Sequence, residues 1–150
     1  MSLVLDASTT LAWYFEDERS DESEDILDRV AETGAVVPLM WRYEVANGFQ
    51  TAVRRKRIDQ AYRDASLAEL HLLSIVVDRT GDDAIWSTTV GLADRFGLTI
   101  YDAAYLEIAR RRGLPLATGD RALRQAAQAL AIGRSSRKPD VTWTRYPCSV

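Results

Sequence analysis

The chain has 150 residues, of which 47% are hydrophobic and 27% charged, and this is enough apolar material for one domain around a single core. The formal net charge of −3 excludes the strong basic excess of a general nucleic-acid-binding protein. The single cysteine, Cys148, excludes an internal disulfide and a cysteine-based zinc site. No basic leader precedes Asp6, and no apolar run approaches the roughly 18 residues of a membrane span. We therefore expect a cytoplasmic protein that does not bind a membrane.

Apolar runs of strand length alternate with longer stripes of helical spacing in the first half of the chain. Leu3-Val4-Leu5 predicts a strand that stops at Asp6, and the apolar residues after Ser8 have the spacing of a helix. The elements predicted next are a helix from Ser20 to Gly34, a strand at 35–38 and a helix from about Trp41 to Val53.

The second half of the chain continues this alternation. Its predicted elements are a helix from Asp59 to Leu73, a strand at 75–77, a helix from about Asp83 to Phe96, a helix from near Asp102 to Arg112, a strand at 116–118 and a helix at 121–131. This order predicts an α/β fold, with a mostly parallel central sheet flanked by helices, in a single domain over residues 1–132. Residues 133–150 form a C-terminal extension, which is either an edge strand through the alternating residues 141–144 or a flexible tail.

Four acidic residues stand where such a fold gathers ligands. Asp6 and Asp120 follow predicted strands, Asp102 begins a predicted helix, and Glu44 lies on the apolar stripe of another helix. Ligands of an open parallel sheet collect at the carboxyl ends of its strands, next to the helices that follow. Each acid also has a simpler explanation, because the three aspartates can cap helices and Glu44 can lie at a surface edge.

These four residues, Asp6, Glu44, Asp102 and Asp120, are called the acidic quartet below. Four carboxylates around one sheet edge would repel one another and raise one another's pKa values unless a metal ion neutralised them. Oxygen ligands alone select a hard cation, so Mg²⁺ or Mn²⁺ is the expected cofactor rather than zinc. The only histidine, His71, lies among leucines and is expected to be an ordinary helix-face residue.

Clusters of arginine offer candidate contacts for phosphate groups. Arg54 and Arg55 belong to a basic run at the end of one predicted helix, and Arg121 and Arg124 follow Asp120 in another. Basic residues near the end of a helix also complement its dipole while remaining solvated, so the sequence leaves both explanations open.

Four segments of the chain resemble one family of nucleases. They are Leu5-Asp6-Ala7-Ser8, residues 41–47 around Glu44, residues 98–109 around Asp102 in Tyr-Asp-Ala-Ala-Tyr-Leu, and residues 116–123 in Leu-Ala-Thr-Gly-Asp-Arg-Ala-Leu. In this order and at this spacing they are similar to PIN domains, and specifically to the VapC toxins of bacterial and archaeal toxin–antitoxin pairs. The resemblance covers residues 2 to about 131.

The resemblance implies a function and a set of partners. The acidic quartet would hold Mg²⁺ or Mn²⁺ and catalyse the hydrolysis of RNA phosphodiester bonds by an endoribonuclease. Ser8 and Thr118 match hydroxyl positions beside these acids, where a hydroxyl can orient a carboxylate or a metal-bound water. The basic residues Arg54, Arg55, Arg121 and Arg124 would then contact RNA phosphates. The family also implies a homodimer and a cognate antitoxin that blocks the acidic groove.

Other classes of protein fit the chain less well. A phosphatase of the haloacid dehalogenase type needs a second aspartate at the position of Ser8, and a receiver domain needs a late lysine, whereas the only lysines are Lys56 and Lys138. The alternative that remains is a PIN-like module that binds protein and has no nuclease activity. The extension after Ile132 departs from the family pattern and leaves the acidic quartet untouched.

Overall fold

The computed structural model describes residues 2–134 of the chain. The sheet in this part of the chain has four strands in the order β3-β2-β1-β4, and all of its pairs are parallel. The strands are β1 (Leu3–Leu5), β2 (Ala35–Pro38), β3 (Ile75–Asp78) and β4 (Leu116–Ala117). The predicted parallel α/β architecture is thereby confirmed, and the carboxyl ends of all four strands lie at one edge of the sheet.

Seven α-helices connect and cover the strands in residues 2–134. They are α1 (Ala7–Ala12), α2 (Asp21–Thr33), α3 (Met40–Arg54), α4 (Gln60–His71), α5 (Val90–Phe96), α6 (Ile100–Arg112) and α7 (Arg121–Ala129). Short 3₁₀ helices at Glu16–Glu18 and Asp82–Ala84 and a π-helix at Ile85–Thr89 complete the order. None of the helices in the described part is long and apolar enough to cross a membrane.

Helix starts and stops follow local side-chain chemistry. Ser20 and Ser23 form a reciprocal capping box at the start of α2, because each side chain accepts a hydrogen bond from the other's backbone N–H. Gly34 ends α2 with a φ of +73° and brings the chain so close to the carbonyl oxygen of Ser74 that a Cβ would lie 2.6 Å from it. Glycine is therefore required where α2 turns into β2.

The core is built on the central strands and on α6. All three residues of β1 are fully buried, as expected of a parallel strand covered on both faces. Seven consecutive residues of α6, Ala103 to Ala109, are also buried, so this helix lies inside the molecule rather than on its surface. Only the first turn of α6 and its basic end reach solvent, and this places Asp102 at the boundary between core and solvent.

Two predicted helices differ in detail from those in the structure. The helix predicted from Asp83 to Phe96 is divided into a 3₁₀ turn, a π-helix and α5. This stretch contains the β-branched residues Ile85, Thr88, Thr89 and Val90, whose side chains have few allowed rotamers in a regular α-helix. Helix α6 begins at Ile100, two residues before the predicted start. Its cap is Thr99, whose hydroxyl accepts the backbone N–H of Asp102.

The C-terminal part of the described chain returns to the sheet. The backbone N–H of Leu116 donates to the carbonyl oxygen of Gly133 at 3.1 Å, and Arg134 forms a parallel bridge to Leu116 at the outer edge of β4. The edge strand or flexible tail expected within residues 133–150 falls almost entirely on residues 135–150, which lie outside the described residues.

Candidate active site

The acidic quartet comes from four separate elements. Asp6 follows β1 and caps α1, and Asp120 follows β4 and caps α7. Because β1 and β4 are parallel neighbours, their following residues lie at the same sheet edge. Glu44 lies in α3 and Asp102 in the first turn of α6. The charges of these residues act on one another: Asp120 on Asp6 and Asp102, Asp6 on Glu44 and Asp102, and Asp102 on Glu44.

Burial and mutual repulsion disfavour the charged forms of three of these acids. Burial raises the pKa of Asp6, and the charge of Asp120 adds to the increase, while hydrogen bonds from Thr118 and Ser8 oppose it. Burial likewise raises the pKa of Asp102, and the charges of Asp120 and Asp6 raise it further. For Glu44, burial raises the pKa most, and Asp6 and Asp102 contribute. Among residues 2–134, no lysine or arginine contributes to these three pKa shifts, so the site concentrates negative charge in the described part of the chain.

The two predicted hydroxyls lie beside Asp6. The hydroxyl of Ser8 donates to Asp6 Oδ2 at 3.1 Å. The hydroxyl of Thr118 donates to the same oxygen at 2.5 Å and accepts the backbone N–H of Asp120 at 3.0 Å. Thr118 therefore joins Asp6 to the backbone that carries Asp120.

The helix-cap explanation of the aspartates is correct for two of the three. Asp6 Oδ1 accepts the backbone N–H of Ser8 at 3.2 Å, and Asp120 Oδ1 accepts that of Leu123 at 2.8 Å. Asp102 caps nothing, because Thr99 is the cap of α6. A capping aspartate offers only part of its carboxylate to the helix, so capping does not remove Asp6 or Asp120 from the site.

A tyrosine that sequence reasoning passed over also belongs to this region. Tyr105 is fully buried, and its hydroxyl donates to Glu44 Oε1 at 3.0 Å. Its burial raises its pKa well above the usual range, and the charge of Glu44 adds to the increase, so the phenol is a neutral donor. The signal in the sequence is its position three residues after Asp102, which puts both on one face of α6.

The donor atoms of the acidic quartet are of the type that binds a hard divalent cation. All four side chains supply carboxylate oxygens, as Mg²⁺ and Mn²⁺ prefer, and a cation would relieve their repulsion. Among residues 2–134, however, no three His, Cys, Asp or Glu side chains are arranged as a ready-made metal site. Side chains of the quartet would have to move towards a shared ion to form one.

The candidate phosphate contacts fall into three different settings. Arg121 is exposed and directly follows Asp120. Arg124 is engaged, since its guanidinium donates to the carbonyl oxygen of Thr118 at 3.0 Å. Arg54 and Arg55 are exposed at the end of α3, where Arg54 is ten residues, or about 15 Å along the helix, beyond Glu44.

The class of this protein is defined by two features. One is the open parallel α/β sheet, and the other is the set of interacting carboxylates at one edge of that sheet. A family model of the PIN domain matches residues 3–129. Ribonuclease VapC3 of Pyrobaculum aerophilum is 32% identical over 130 residues, which are 87% of this chain and 98% of that protein. The chain belongs to the PIN-domain family, and it is similar to a VapC protein along almost its whole described length.

A solved structure supports the fold independently. The crystal structure of PAE2754 from Pyrobaculum aerophilum superposes with a TM-score of 0.62 at 23% sequence identity. The match covers 87% of this chain and 96% of that one. The architecture described above is therefore that of an experimentally determined relative in fold.

Proposed function

We propose that this protein is a metal-dependent endoribonuclease that works in the cytoplasm and hydrolyses RNA phosphodiester bonds as the toxin of a toxin–antitoxin pair. The observation that carries the proposal is the acidic quartet in a PIN-domain chain: four carboxylates from four elements, of which Asp6, Glu44 and Asp102 have pKa values raised by burial and by the charges of their neighbours. Similarity to Ribonuclease VapC3 supports RNA as the substrate.

The side chains have separate tasks in this proposal. Asp6, Glu44, Asp102 and Asp120 hold Mg²⁺ or Mn²⁺. When bound, the cation acidifies a water and stabilises the negative charge that develops on the phosphate. The hydroxyls of Ser8 and Thr118 keep the Asp6 carboxylate in one orientation by donating to it. No side chain needs to act as a nucleophile, because water is the attacking group in a hydrolysis.

The substrate is held near the quartet by positive charge. Arg121 is the best placed of the candidate contacts, because it is exposed and adjacent to Asp120 at the start of α7. Arg54 and Arg55 would reach phosphates further along the RNA. Contacts of this kind give salt-dependent binding with little information about base sequence.

Two protein partners are part of the proposal. The negative charge of the quartet suits a basic side chain of a cognate antitoxin, which would compete with the cation and the RNA. Large apolar side chains exposed within residues 2–134 support a homodimer, because they are disfavoured in water. They include Leu39, Tyr43, Trp86, Ile100 and Tyr101, and Trp86 is 93% exposed.

The test is RNA cleavage by the purified, antitoxin-free protein. A panel of structured RNAs is incubated with Mg²⁺, Mn²⁺ or EDTA, and light scattering on the same preparation reports whether two copies associate. We expect cleavage with either metal, none with EDTA, and a rate at least about 100-fold lower for Asp102→Asn, because this variant removes a charge that holds the cation.

The matched control is Asp94→Asn, which makes the same change at an exposed position of α5 and should cleave normally. Cleavage by Asp102→Asn at the wild-type rate would remove Asp102 from the site. A wild-type protein that cuts no RNA with any metal, yet binds a protein partner, would favour the alternative of a PIN-like binding module.

A further inference from the structure

The buried hydroxyl of Tyr105 is the polar group near the quartet that the proposed function leaves unused. We propose that Tyr105 is a positioning residue of the acidic site: its hydroxyl holds one oxygen of Glu44 and thereby keeps the other oxygen available to a divalent cation. The inference rests on the proposed function, since it concerns how the same site binds its metal.

The placement of Tyr105 joins elements that carry different acids. Tyr105 lies in α6, three residues after Asp102, and its hydroxyl reaches Glu44 in α3 with a hydrogen bond of 3.0 Å. The backbone of Ala7, next to Asp6, also interacts with this hydroxyl. One phenol therefore connects α6 and α3 and lies close to the start of α1.

Glu44 needs such a partner more than the aspartates do. Asp6 accepts hydrogen bonds from Ser8 and Thr118, and Asp120 accepts one from Leu123. Within residues 2–134 the only hydrogen bond to the Glu44 carboxylate comes from Tyr105. A glutamate has more rotatable bonds than an aspartate, and the charges of Asp6 and Asp102 repel it, so without a donor it would turn away from the site.

Tyrosine is suited to this task because it is rigid and uncharged. Its ring is fully buried in the core and fixes the hydroxyl through packing. The phenol, which is neutral at physiological pH, donates its hydrogen bond to Glu44 and adds no charge to the site.

The simpler explanation is that Tyr105 only fills the core. Replacement by phenylalanine separates the two explanations, because it keeps the ring and removes only the hydroxyl. Tyr62→Phe is the matched control: it also removes one hydroxyl hydrogen bond, from Tyr62 to the carbonyl oxygen of Tyr14, but in a contact between α4 and the segment after α1.

The experiment measures Mn²⁺ binding by isothermal titration calorimetry and RNA cleavage kinetics on the full chain. For Tyr105→Phe we expect Mn²⁺ to bind about tenfold more weakly and kcat to fall by a similar factor, as is typical when a residue that orients a metal ligand is lost. KM for RNA should stay unchanged, because no RNA contact is lost. Tyr62→Phe should match the wild type in all three quantities.

A double-mutant cycle tests whether the effect passes through Glu44. In a Glu44→Ala background the hydroxyl has no carboxylate to hold, so adding Tyr105→Phe should change Mn²⁺ affinity no further. Wild-type Mn²⁺ affinity and kcat in Tyr105→Phe would overturn the inference, as would a full additional loss in the Glu44→Ala background. A wild-type protein that neither binds Mn²⁺ nor cuts RNA would refute the proposed function itself, which is a distinguishable result.

Discussion

Arg124 could either contact an RNA phosphate or support the backbone of the acidic site, and its contacts distinguish these two roles. Its guanidinium donates to the carbonyl oxygen of Thr118 at 3.0 Å and lies 4.0 Å from the carboxylate of Glu22. Thr118 in turn donates to Asp6 and accepts from the backbone of Asp120. These contacts indicate that Arg124 supports the backbone at Thr118, rather than contacting an RNA phosphate as expected from the sequence.

We expect Arg124→Ala and Arg121→Ala to affect RNA cleavage in different ways. Arg124→Ala should lower kcat by about tenfold through Thr118 and leave the salt dependence of RNA binding unchanged. Arg121→Ala should weaken RNA binding and reduce the slope of log affinity against log salt concentration by about one, because one phosphate contact is lost. Cleavage rates and binding isotherms over a range of salt concentrations measure both quantities.

Exposed Arg79, which forms no ion pair with another residue of the described chain, provides the control variant Arg79→Ala. This variant removes the same charge and should leave kcat and the salt slope as they are. If Arg124→Ala weakened RNA binding and flattened the salt dependence with kcat unchanged, Arg124 would be a phosphate contact after all.

Contacts between residues close in sequence were predictable, and distant ones were not. Ser8 and Thr118 each lie two residues from an acid, and the resemblance to PIN domains placed their hydroxyls beside the site. The bond from Tyr105 to Glu44 joins residues 61 positions apart. Such a contact depends on how α6 packs against α3, which the periodicity of either helix does not specify.

At the scale of elements, an ion-pair network joins β3 to the end of α6. Asp78, the last residue of β3, has a fully buried side chain that accepts hydrogen bonds from Arg111 and Arg112. Arg111 also donates to Glu107 at 2.7 Å. Burial alone would raise the pKa of Asp78, but the two guanidinium groups hold that pKa well below its usual range. The network fixes the helix that carries Asp102.

We expect Asp78→Asn to lower the free energy of unfolding by about 3 kcal/mol near neutral pH, because two arginines lose their buried partner. A carboxylate with a lowered pKa in the folded state stabilises the protein above its unfolded pKa, and this stabilisation is lost as the pH falls through the folded value. The difference between wild type and variant should therefore shrink below about pH 4.

Chemical denaturation at several pH values measures this difference. Asp82→Asn, at an exposed position in the 3₁₀ turn after β3, is the control and should change stability little. A difference that stays constant between neutral pH and about pH 3 would contradict the ionic explanation.

The order of helices and strands was more predictable than the course of individual helices. Apolar runs such as 3–5 and 35–38 bounded by caps and glycines suffice to place the strands, because each is short and continuously buried. The π-helix Ile85–Thr89 was not predictable, since its residues also fit an ordinary helical stripe. The complete burial of α6 likewise comes from packing, because a surface helix and a central one can share one apolar pattern.

For the whole molecule, the parallel fold followed from the alternation of elements, but the strand order β3-β2-β1-β4 did not. That order places β1 and β4 side by side, although Asp6 and Asp120 are 114 residues apart in the chain. The concentration of negative charge at the site is thus a property of the tertiary structure. Its effect can therefore be measured on the stability of the whole folded protein.

The raised pKa values of Asp6, Glu44 and Asp102 make stability depend on pH and on metal. An acid whose pKa is raised in the folded state contributes stability that is fully present below its unfolded pKa and is lost as the pH rises through the folded value. Repulsion between these carboxylates therefore lowers the stability of the metal-free protein at neutral pH. A bound cation removes this repulsion, and it binds progressively less well as the carboxylates become protonated.

We accordingly expect Mg²⁺, at about 100 times its Kd, to raise Tm by about 5 °C or more at pH 7, which corresponds to about 2.7 kcal/mol of binding linkage. The increase should fall towards zero as the pH approaches about 4, where the carboxylates bind protons instead.

Asp102→Asn should raise the Tm of the metal-free protein and abolish most of the response to Mg²⁺, because one substitution relieves repulsion and removes a ligand. Calorimetry in EDTA and in Mg²⁺ across this pH range measures all three effects. An Asp102→Asn variant that is less stable than wild type in EDTA and still gains stability from Mg²⁺ would show that Asp102 is a structural residue outside the cation site.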